Sequence, residues 1–286
     1  MSAHLAKAGH QLTLYDVDRS RADAAKGQGE RITIADSPKA VAEQSDIVIT
    51  MLPSGKYVSE VALGEQGLIH GFGSGSLLLD TSSSEPWLTV TTAKALAEKN
   101  IEMVDAPVSG ARAGAEAGEL VFMVGGSRDA VGRVAPLLEI MGKQYFHLGP
   151  VGSGHTMKCI NNTITAMTFL ATSEGLALGK KAGLDPEVMT DVLNNSTGMS
   201  WISQTHIKQR IISRKFDDPF RLELMLKDIG IAMQLAEDLK QPLPLSKTGH
   251  GLWQQADSHA GSGASVSELV RWVEKVTNTE ISGGSA

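Results

Sequence analysis

The sequence predicts an α/β domain with a mostly parallel sheet, followed by an all-α domain that a long helix joins to it. In the first half, short continuous apolar runs such as DIVITML (46–52) and LLLD (77–80) alternate with amphipathic helical stretches. This alternation is typical of parallel strands that helices cover on both faces. After about residue 148 the apolar residues instead recur at the spacing of a helix. We therefore expect one domain over 1–148 and an all-helical domain over 149–286.

Each element follows from its local pattern. The chain opens on a helical stretch, a glycine and a strand that runs into Asp16. Apolar runs predict the strands, and the amphipathic stretches between them predict the helices. We expect strands at 11–15, 32–35, 46–52, 77–80, 101–106, 120–124 and 144–147. We expect helices at 19–26, 38–43, 86–99, 130–141, 155–182, 186–195, 222–239 and 265–277, with a frayed tail over 281–286.

Composition excludes several classes of function. The 286 residues carry a net charge of −6, whereas nucleic-acid and membrane binding favour basic faces. No apolar run is long enough to span a bilayer. The single cysteine, Cys159, excludes an internal disulfide, and the scattered histidines form no metal-binding pair. We expect a cytoplasmic protein with no nucleic-acid partner, no membrane partner and no metal.

Asp16 is the first candidate binding residue. It follows the strand QLTLY, and an acidic residue at the carboxyl end of the second strand of a dinucleotide-binding unit accepts hydrogen bonds from the adenosine ribose. Such a carboxylate repels the 2′-phosphate of NADP and so favours NAD. Arg19, three residues later, is able to bind that phosphate, which leaves NADP open. An aspartate in an ordinary turn is the alternative.

The phosphate loop of such a unit is expected roughly 20 residues before its acidic residue. The glycines at 71–75 precede a strand instead of following one, and those at 149–154 lack the spacing of a phosphate loop. We therefore expect the opening strand and the glycine-rich loop to lie upstream of Met1. On this interpretation the first domain is N-terminally truncated.

Three further stretches carry candidate catalytic and substrate-binding residues. The turn Ser109-Gly110 follows a strand and offers N–H groups and a hydroxyl, which suit a carboxylate; an ordinary tight turn is the alternative. Lys158 and Asn162 lie four residues apart among apolar neighbours, hence on one helix face. A lysine shielded from water has a lowered pKa and exchanges a proton near neutrality, whereas a lysine that reaches solvent is the alternative. Lys227 lies on a mostly apolar helix, where the residue pattern alone favours a solvent-facing lysine.

Taken together, these stretches resemble the β-hydroxyacid dehydrogenase family, which includes 3-hydroxyisobutyrate dehydrogenase and tartronate semialdehyde reductase. The motifs are DAPVSG (105–110), MVGG (123–126), GSGHTMKCINN (152–162) and KD (227–228). Their order and spacing match the family from Met1 to about Leu239. The resemblance implies a Rossmann-like first domain and an oxidoreductase that transfers a hydride between NAD(P) and a small β-hydroxyacid or semialdehyde.

The resemblance also implies roles for single residues. Lys158 would be the catalytic residue that gives or takes the hydroxyl proton, and Ser109 and Gly110 would hold the substrate carboxylate. Asn162 would bind the substrate, and Lys227 would close over cofactor and substrate. The cofactor contacts would be Asp16, Met51, Leu52, Pro53, Ser83 and Lys227. NAD is the implied cofactor, because Val17 stands where the family has a phosphate-binding arginine, and a homodimer or homotetramer is implied as well.

Two residues depart from the family pattern, and two other functions stay open. Ala111 stands where a second glycine usually follows Ser-Gly, and Ser83 stands where threonine is usual. An imine reductase is one alternative, although such enzymes typically replace the catalytic lysine that this chain keeps. A degenerate, non-catalytic binding protein is the other, because no phosphate loop is found in the sequence.

Overall fold

The computed structural model describes residues 1–27 and 31–284. The chain divides into two compact units, Met1–Lys158 and Cys159–Ala286. The first unit is an α/β unit and the second is helical, so the predicted fold class is confirmed. The sequence predicts a boundary near residue 148; the last strand ends at Gly149, and the two compact units divide after Lys158.

Strands and helices alternate through the first unit, as the apolar pattern predicts. Its strands are β1 Leu12–Leu14, β2 Ile32–Ile34, β3 Ile47–Thr50, β4 Leu77–Asp80, β5 Glu102–Asp105, β6 Val108–Ser109, β7 Leu120–Gly125 and β8 Gly142–Gly149. Its helices are α1 Ser2–Lys7, α2 Arg19–Lys26, α3 Pro38–Ala42, α4 Gly55–Leu63, α5 Pro86–Ala97, α6 Ala111–Ala117 and α7 Arg128–Met141, with a 3-10 turn at Leu68–His70. The long helix α8, Ser153–Lys181, begins in this unit.

The strands of the first unit form two sheets. Strands β1 and β2 pair in parallel as a two-stranded sheet. The other strands form a six-stranded sheet in the order β3-β4-β5-β7-β6, with β8 also paired to β7. Because β3, β4 and β5 are parallel and in register, Thr50, Asp80 and Asp105 lie side by side at their carboxyl ends. The sheet is thus parallel over its first three strands and reverses direction at β7.

Strands β5 and β6 behave as one strand that continues past the sheet edge. Asp105 pairs with Gly125, and Ser109 pairs with Val121, in a single antiparallel register along β7. The intervening Pro107 carbonyl accepts a hydrogen bond from the N–H of Met123 at 3.0 Å. A strand rises about 3.3 Å per residue, so the four residues after Asp105 carry Ser109 well beyond the ends of β3 and β4.

The apolar run LLLD is buried on both faces of the sheet. Leu77 and Leu79 pack into a cluster with Val104, Phe122 and Leu138, whereas the intervening side chain of Leu78 packs into a different cluster. All three leucines have no exposed surface. Alternate residues of a strand point to opposite faces, so a strand covered on both sides needs apolar residues without alternation. The buried parallel strand predicted here is confirmed.

The second unit is built around a core that includes Phe169, Ile211, Leu222 and Trp253. The indole Nε1 of Trp253 donates to the carbonyl of Ala166 at 3.3 Å, which satisfies the polar atom of a fully buried ring. Besides α8, its helices are α9 Pro186–Asn194, α10 Trp201–Thr205, a π-helical segment Ile207–Ile212, α11 Leu222–Asp238, α12 Pro244–Ala260 and α13 Leu269–Thr277. No helix in the described residues is long and apolar enough to cross a membrane.

The sequence pattern did not predict several of the helices, and its prediction for the C-terminal residues 281–286 was partly wrong. Helix α12 was not expected, because Gly249 and Gly251 interrupt its pattern; Gly249 is buried where Met167 approaches so closely that a side chain would collide with it. The prediction of a frayed tail is wrong for Ile281, which has no exposed surface and donates its N–H to Glu274 at 2.7 Å. Residues 285–286 lie outside the described residues.

Candidate active site

The predicted cofactor contacts of β3 and β4 meet at the carboxyl edge of the six-stranded sheet. Met51, Leu52 and Pro53 follow directly after β3, and Ser83 lies three residues after β4. The N–H of Leu52 donates to Ser82 Oγ at 2.8 Å, which ties the two loops together. Met51 is 51% exposed at this edge. Ligands of open α/β sheets bind at the carboxyl ends of strands, so these segments lie where a cofactor is expected.

Asp16 belongs to the other sheet of the first unit. It is half-buried after β1, and its Oδ1 accepts the N–H of Asp18 at 2.8 Å, while Val17 between them is 91% exposed. Arg19, which the sequence indicates to be able to bind the 2′-phosphate of NADP, lies beside two carboxylates. Its Nη1 lies 2.9 Å from Asp36 Oδ1, and its Nε lies 3.5 Å from Asp23 Oδ1.

The Ser109-Gly110 turn has a special backbone. Ser109 is half-buried at the end of β6, and Gly110 is exposed with a φ of +123°. Ala111, which begins α6, has a φ of +52°. Residues other than glycine adopt such positive values at a cost of about 1 kcal/mol or more. The departure from a second glycine noted in the sequence therefore falls on a position with left-handed backbone.

Helix α6, which follows this turn, is anchored at its other end. His4 Nε2 of α1 contacts the carbonyls of Ala115 and Glu116 at 3.1 and 3.0 Å. A carbonyl only accepts, so the ring nitrogen donates to both. The turn that carries Ser109 is thus fixed by β6 on one side and by α1, through α6, on the other.

The start of α8 is fixed at the end of β5. The carboxylate of Asp105 accepts the N–H of Gly152 at 2.6 Å and the N–H of His155 at 2.8 Å. Burial raises the pKa of Asp105, although these two bonds and the charge of His155 act against that rise. A carboxylate that accepts N–H groups of a first helical turn stabilises the helix terminus. Asp105 therefore joins the sheet edge to α8.

Gly154 allows the close approach of α8 to the sheet. A Cβ at this position would collide with the carbonyl oxygen of Met123 and would lie 2.9 Å from that of Asp105. A residue with a side chain would force the helix away from the ends of β5 and β7. Gly154, one of the glycines at 149–154 that the sequence excluded as a phosphate loop, serves this packing instead.

Lys158 lies in the second turn of this helix, three residues after His155. Its side chain is half-buried. The neighbouring Cys159 is 2% exposed, and burial, together with the negative charge of Asp228, raises the pKa of its thiol to about 11. The thiol therefore stays protonated at neutral pH and is a poor nucleophile.

Asn162 and Lys227 come together in the second unit through Asp228. Asn162, 5% exposed, donates from Nδ2 to Asp228 Oδ2 at 2.6 Å. Lys227 Nζ lies 3.1 Å from Asp228 Oδ1. Asp228 is 1% exposed and carries both contacts on one carboxylate. It therefore orients two residues that the sequence predicts to bind substrate.

The sequence assigned no role to Asp105, His155 or Asp228. Their signal was a charged or polar residue close to apolar ones, as in VDAP (104–107), GHTM (154–157) and LKDI (226–229). Such a residue is buried only with partners, and the partners come from distant parts of the chain. Within the ranges 1–27 and 31–284, no three histidine, cysteine, aspartate or glutamate side chains are grouped to hold a metal ion.

Comparison with known proteins gives consistent matches over the whole chain. The family profile described as the NAD binding domain of 6-phosphogluconate dehydrogenase matches residues 1–149. The profile described as the NAD-binding domain of NADP-dependent 3-hydroxyisobutyrate dehydrogenase matches residues 152–273.

Individual relatives cover nearly the same length. The chain is 36% identical to 3-hydroxyisobutyrate dehydrogenase of Pseudomonas aeruginosa, over 91% of this chain and 90% of the relative. It is 32% identical to 2-(hydroxymethyl)glutarate dehydrogenase of Eubacterium barkeri, over 99% and 94%. A solved structure of Mycobacterium tuberculosis 3-hydroxyisobutyrate dehydrogenase with L-serine is 28% identical and has a TM-score of 0.85, covering 95% of this chain and 94% of that one.

Imine reductases are more distant. The enzyme of Streptomyces aurantiacus is 18% identical and has a TM-score of 0.59, which is a likeness of fold alone. The alternative of an imine reductase is therefore less well supported than that of a hydroxyacid dehydrogenase.

The backbone of Ala111 leads to a first prediction. Ala111→Gly is expected to raise the free energy of unfolding by about 1 kcal/mol, because glycine adopts a positive φ without steric cost. Urea titration of the purified chain measures this change. The matched control is Ala113→Gly in the same helix, which is expected to lower stability by about 1 kcal/mol. Equal losses of stability in both variants would show that Ala111 is not strained.

Proposed function

This chain belongs to the β-hydroxyacid dehydrogenase family, and on that premise we propose a mechanism in which Lys158 carries the proton of the substrate hydroxyl. As a member it is an NAD(P)-dependent oxidoreductase that acts on the hydroxyl group of small β-hydroxyacids. The observation that carries the proposed mechanism is the position of Lys158. It is half-buried on the second turn of α8, just after the turn that Asp105 holds at the carboxyl edge of the sheet.

Lys158 acts as general base in oxidation and as general acid in reduction. When the hydroxyl is oxidised, its proton passes to the neutral amine of Lys158 while the carbon that bears it loses a hydride. In reduction the ammonium returns that proton to the carbonyl oxygen and stabilises the negative charge that develops there. The bound nicotinamide supplies the hydride acceptor or donor.

Ser109 and Gly110 hold the substrate carboxylate in this proposal. The Ser109 hydroxyl and the backbone N–H of Gly110 are hydrogen-bond donors at the end of β6, and Gly110 is exposed. Asn162 and Lys227 also bind the substrate in this proposal, and Lys227 contacts the cofactor as well. The support for their role is Asp228, which fixes the amide of Asn162 and the amine of Lys227. Fixed donors of this kind supply orientation, which lowers the barrier of the reaction.

The substrate class that we propose is a carboxylate with a hydroxymethyl group on the adjacent carbon. The relatives' names give three such acids: 3-hydroxyisobutyrate, 2-(hydroxymethyl)glutarate and L-serine. They share a primary hydroxyl, two carbons and a carboxylate, and differ in the remaining substituent. In this proposal the Ser109-Gly110 turn binds the carboxylate that these acids share, and Lys158 exchanges a proton with their shared hydroxyl.

We propose NAD as the preferred cofactor of this NAD(P)-binding chain. The residues fit the adenosine ribose, because the half-exposed carboxylate of Asp16 is oriented by the N–H of Asp18 and suits two hydroxyl donors. Arg19 pairs with Asp36 and Asp23, which compete with a 2′-phosphate for its guanidinium. Met51, Leu52, Pro53 and Ser83 contact the cofactor at the carboxyl edge of the six-stranded sheet.

We also propose a homodimer or homotetramer located in the cytoplasm. Its support is the set of apolar side chains that the second unit exposes on α8 and α9. Leu178 is 73% exposed, Val188 59% and Val192 58%. Exposed large apolar side chains that adjoin one another are typical of contact regions between proteins.

The role of Lys158 gives a second prediction. Lys158→Ala is expected to lower kcat for NAD-dependent oxidation of 3-hydroxyisobutyrate by at least about 100-fold, because the proton acceptor is removed. Absorbance of the reduced nicotinamide measures this rate. Lys181→Ala, which removes an exposed lysine at the other end of α8, is the control and is expected to leave kcat unchanged. Unchanged turnover in Lys158→Ala would exclude the mechanism, whereas a wild-type chain that binds NAD without turnover would favour the non-catalytic alternative.

Cofactor preference gives a third prediction. Asp16→Asn is expected to lower the ratio of kcat/KM for NAD over NADP by about tenfold, because a charged hydrogen-bond acceptor and its repulsion of the 2′-phosphate are both lost. Steady-state kinetics with both cofactors measure the ratio. Asp46→Asn makes the same charge change at the amino end of β3 and is expected to leave the ratio unchanged. A ratio that is the same in both variants would contradict the role of Asp16.

A further inference from the structure

Three ionisable side chains form a fully buried cluster behind the proposed site. Asp80 ends β4, Asp105 ends β5, and His155 is the third residue of α8. The side chains of all three have no exposed surface. Burial of charged groups is costly unless they are paired and hydrogen-bonded. None of the three touches bulk water, so the cluster acts on the reaction only through what it holds in place.

The ring of His155 is held on both of its nitrogens. Nε2 lies 3.1 Å from the carbonyl oxygen of Ser82, which only accepts, so Nε2 donates. Nδ1 lies 2.8 Å from Thr89 Oγ1 in α5. Two bonds in opposite directions leave the ring no freedom to rotate. Since the ring is attached to α8, they also fix the rotation of the first turn of that helix.

The two carboxylates face this ring and are themselves held in place. Asp80 Oδ2 lies 3.6 Å from His155 Nε2, and Asp105 Oδ2 lies 3.7 Å from His155 Nδ1. Asp80 accepts hydrogen bonds from Thr50 Oγ1 at 2.9 Å and from Ser84 Oγ at 3.0 Å. The cluster thus connects the ends of β3, β4 and β5 with α5 and α8.

The cluster controls two different movements of α8. The bonds from the backbone N–H groups of Gly152 and His155 to Asp105 stop the helix from sliding along its axis. The bonds of the His155 ring stop it from turning about that axis. A shift of one residue in a helix turns every side chain by about 100° and moves it by about 1.5 Å. Lys158, three residues further, follows any such movement directly.

We propose that His155 is a positioning residue for Lys158, and that its buried ring fixes the direction in which α8 presents the lysine amine to the substrate hydroxyl. This inference rests on the proposed role of Lys158. His155 itself touches neither substrate nor cofactor. Without its ring, Asp105 also loses a close neighbour, since its Oδ2 lies 3.7 Å from His155 Nδ1.

Three variants test the proposal. His155→Ala removes both bonds of the ring. His155→Gln keeps a side-chain N–H donor for the Ser82 carbonyl and loses the contact with Thr89. Thr89→Val removes one partner and keeps the size of the side chain. His70→Ala, an exposed histidine of the same unit, is the control. Each variant is assayed with NAD and 3-hydroxyisobutyrate, and with the same acid deuterated at the carbon that bears the hydroxyl.

We expect His155→Ala to lower kcat per folded molecule by about 10- to 100-fold, since a displacement of about 1 Å at a reacting group has this effect. The KM for NAD stays unchanged and the deuterium isotope effect on kcat rises, because the chemical step becomes slower than product release. His155→Gln and Thr89→Val each keep one of the two ring contacts and fall between His155→Ala and the wild type, and His70→Ala equals the wild type. Folded fractions are taken from circular dichroism, so a variant that only loses stability is recognised by normal kcat per folded molecule.

Two results would overturn the proposal. The first is that His155→Ala has the same kcat per folded molecule and the same deuterium isotope effect on kcat as the wild type. The other, which applies if His155→Ala does not fold, is normal kinetics in Thr89→Val together with no gain in His155→Gln over any other substitution, such as His155→Leu. Lys158→Ala is measured in parallel. If it loses turnover while the His155 variants do not, the positioning role fails and the proposed function stands; if it keeps turnover, the proposed function fails.

Discussion

The carboxylate of Asp105 joins the sheet to the helix on which the proposed chemistry depends. It ends β5, where Thr50 and Asp80 lie beside it on the neighbouring strands, and it accepts two N–H groups from the first turn of α8. Burial makes such a bond stronger and makes its loss costly. Gly154 provides the close approach that this bond needs, since any side chain there would collide with the sheet. The position of Lys158 on α8 follows from this connection.

Much of the fold was predictable because burial on both faces leaves a clear signal. The strand Leu77–Asp80 and the helix Arg19–Lys26 were predicted with their observed bounds. A continuous leucine run predicts a buried strand, and a polar stretch between two strands predicts a surface helix. Helix α12 was not predictable in this way, because its two glycines weaken helix propensity and only tertiary packing on Met167 explains Gly249. The reversal of the sheet at β7 was also missed, since strand direction depends on pairing and not on the strand's own residues.

The candidate site was predictable only in part, for a similar reason. Several motifs in the order and spacing of a known family predicted functional roles for Ser109, Lys158 and Asn162. None of these residues would have been assigned such a role from its local sequence alone. The residues that hold them in place were not found. The side-chain hydrogen bonds of His155 to Thr89 and Ser82, and of Asp228 to Asn162, each join residues 66 or more positions apart. The positive φ of Ala111 is likewise set by the turn between β6 and α6 and not by the alanine itself.

A crystal structure of the chain with NAD and 3-hydroxyisobutyrate tests the central claim most directly, which is that a capped α8 presents Lys158 to the reacting hydroxyl. The account predicts that Lys158 Nζ lies about 3 Å from the substrate hydroxyl oxygen. It also predicts that the substrate carboxylate accepts hydrogen bonds from Ser109 and Gly110, with both N–H bonds to Asp105 intact. A bound acid whose hydroxyl contacts another side chain, with Lys158 away from the reacting atoms, would contradict it.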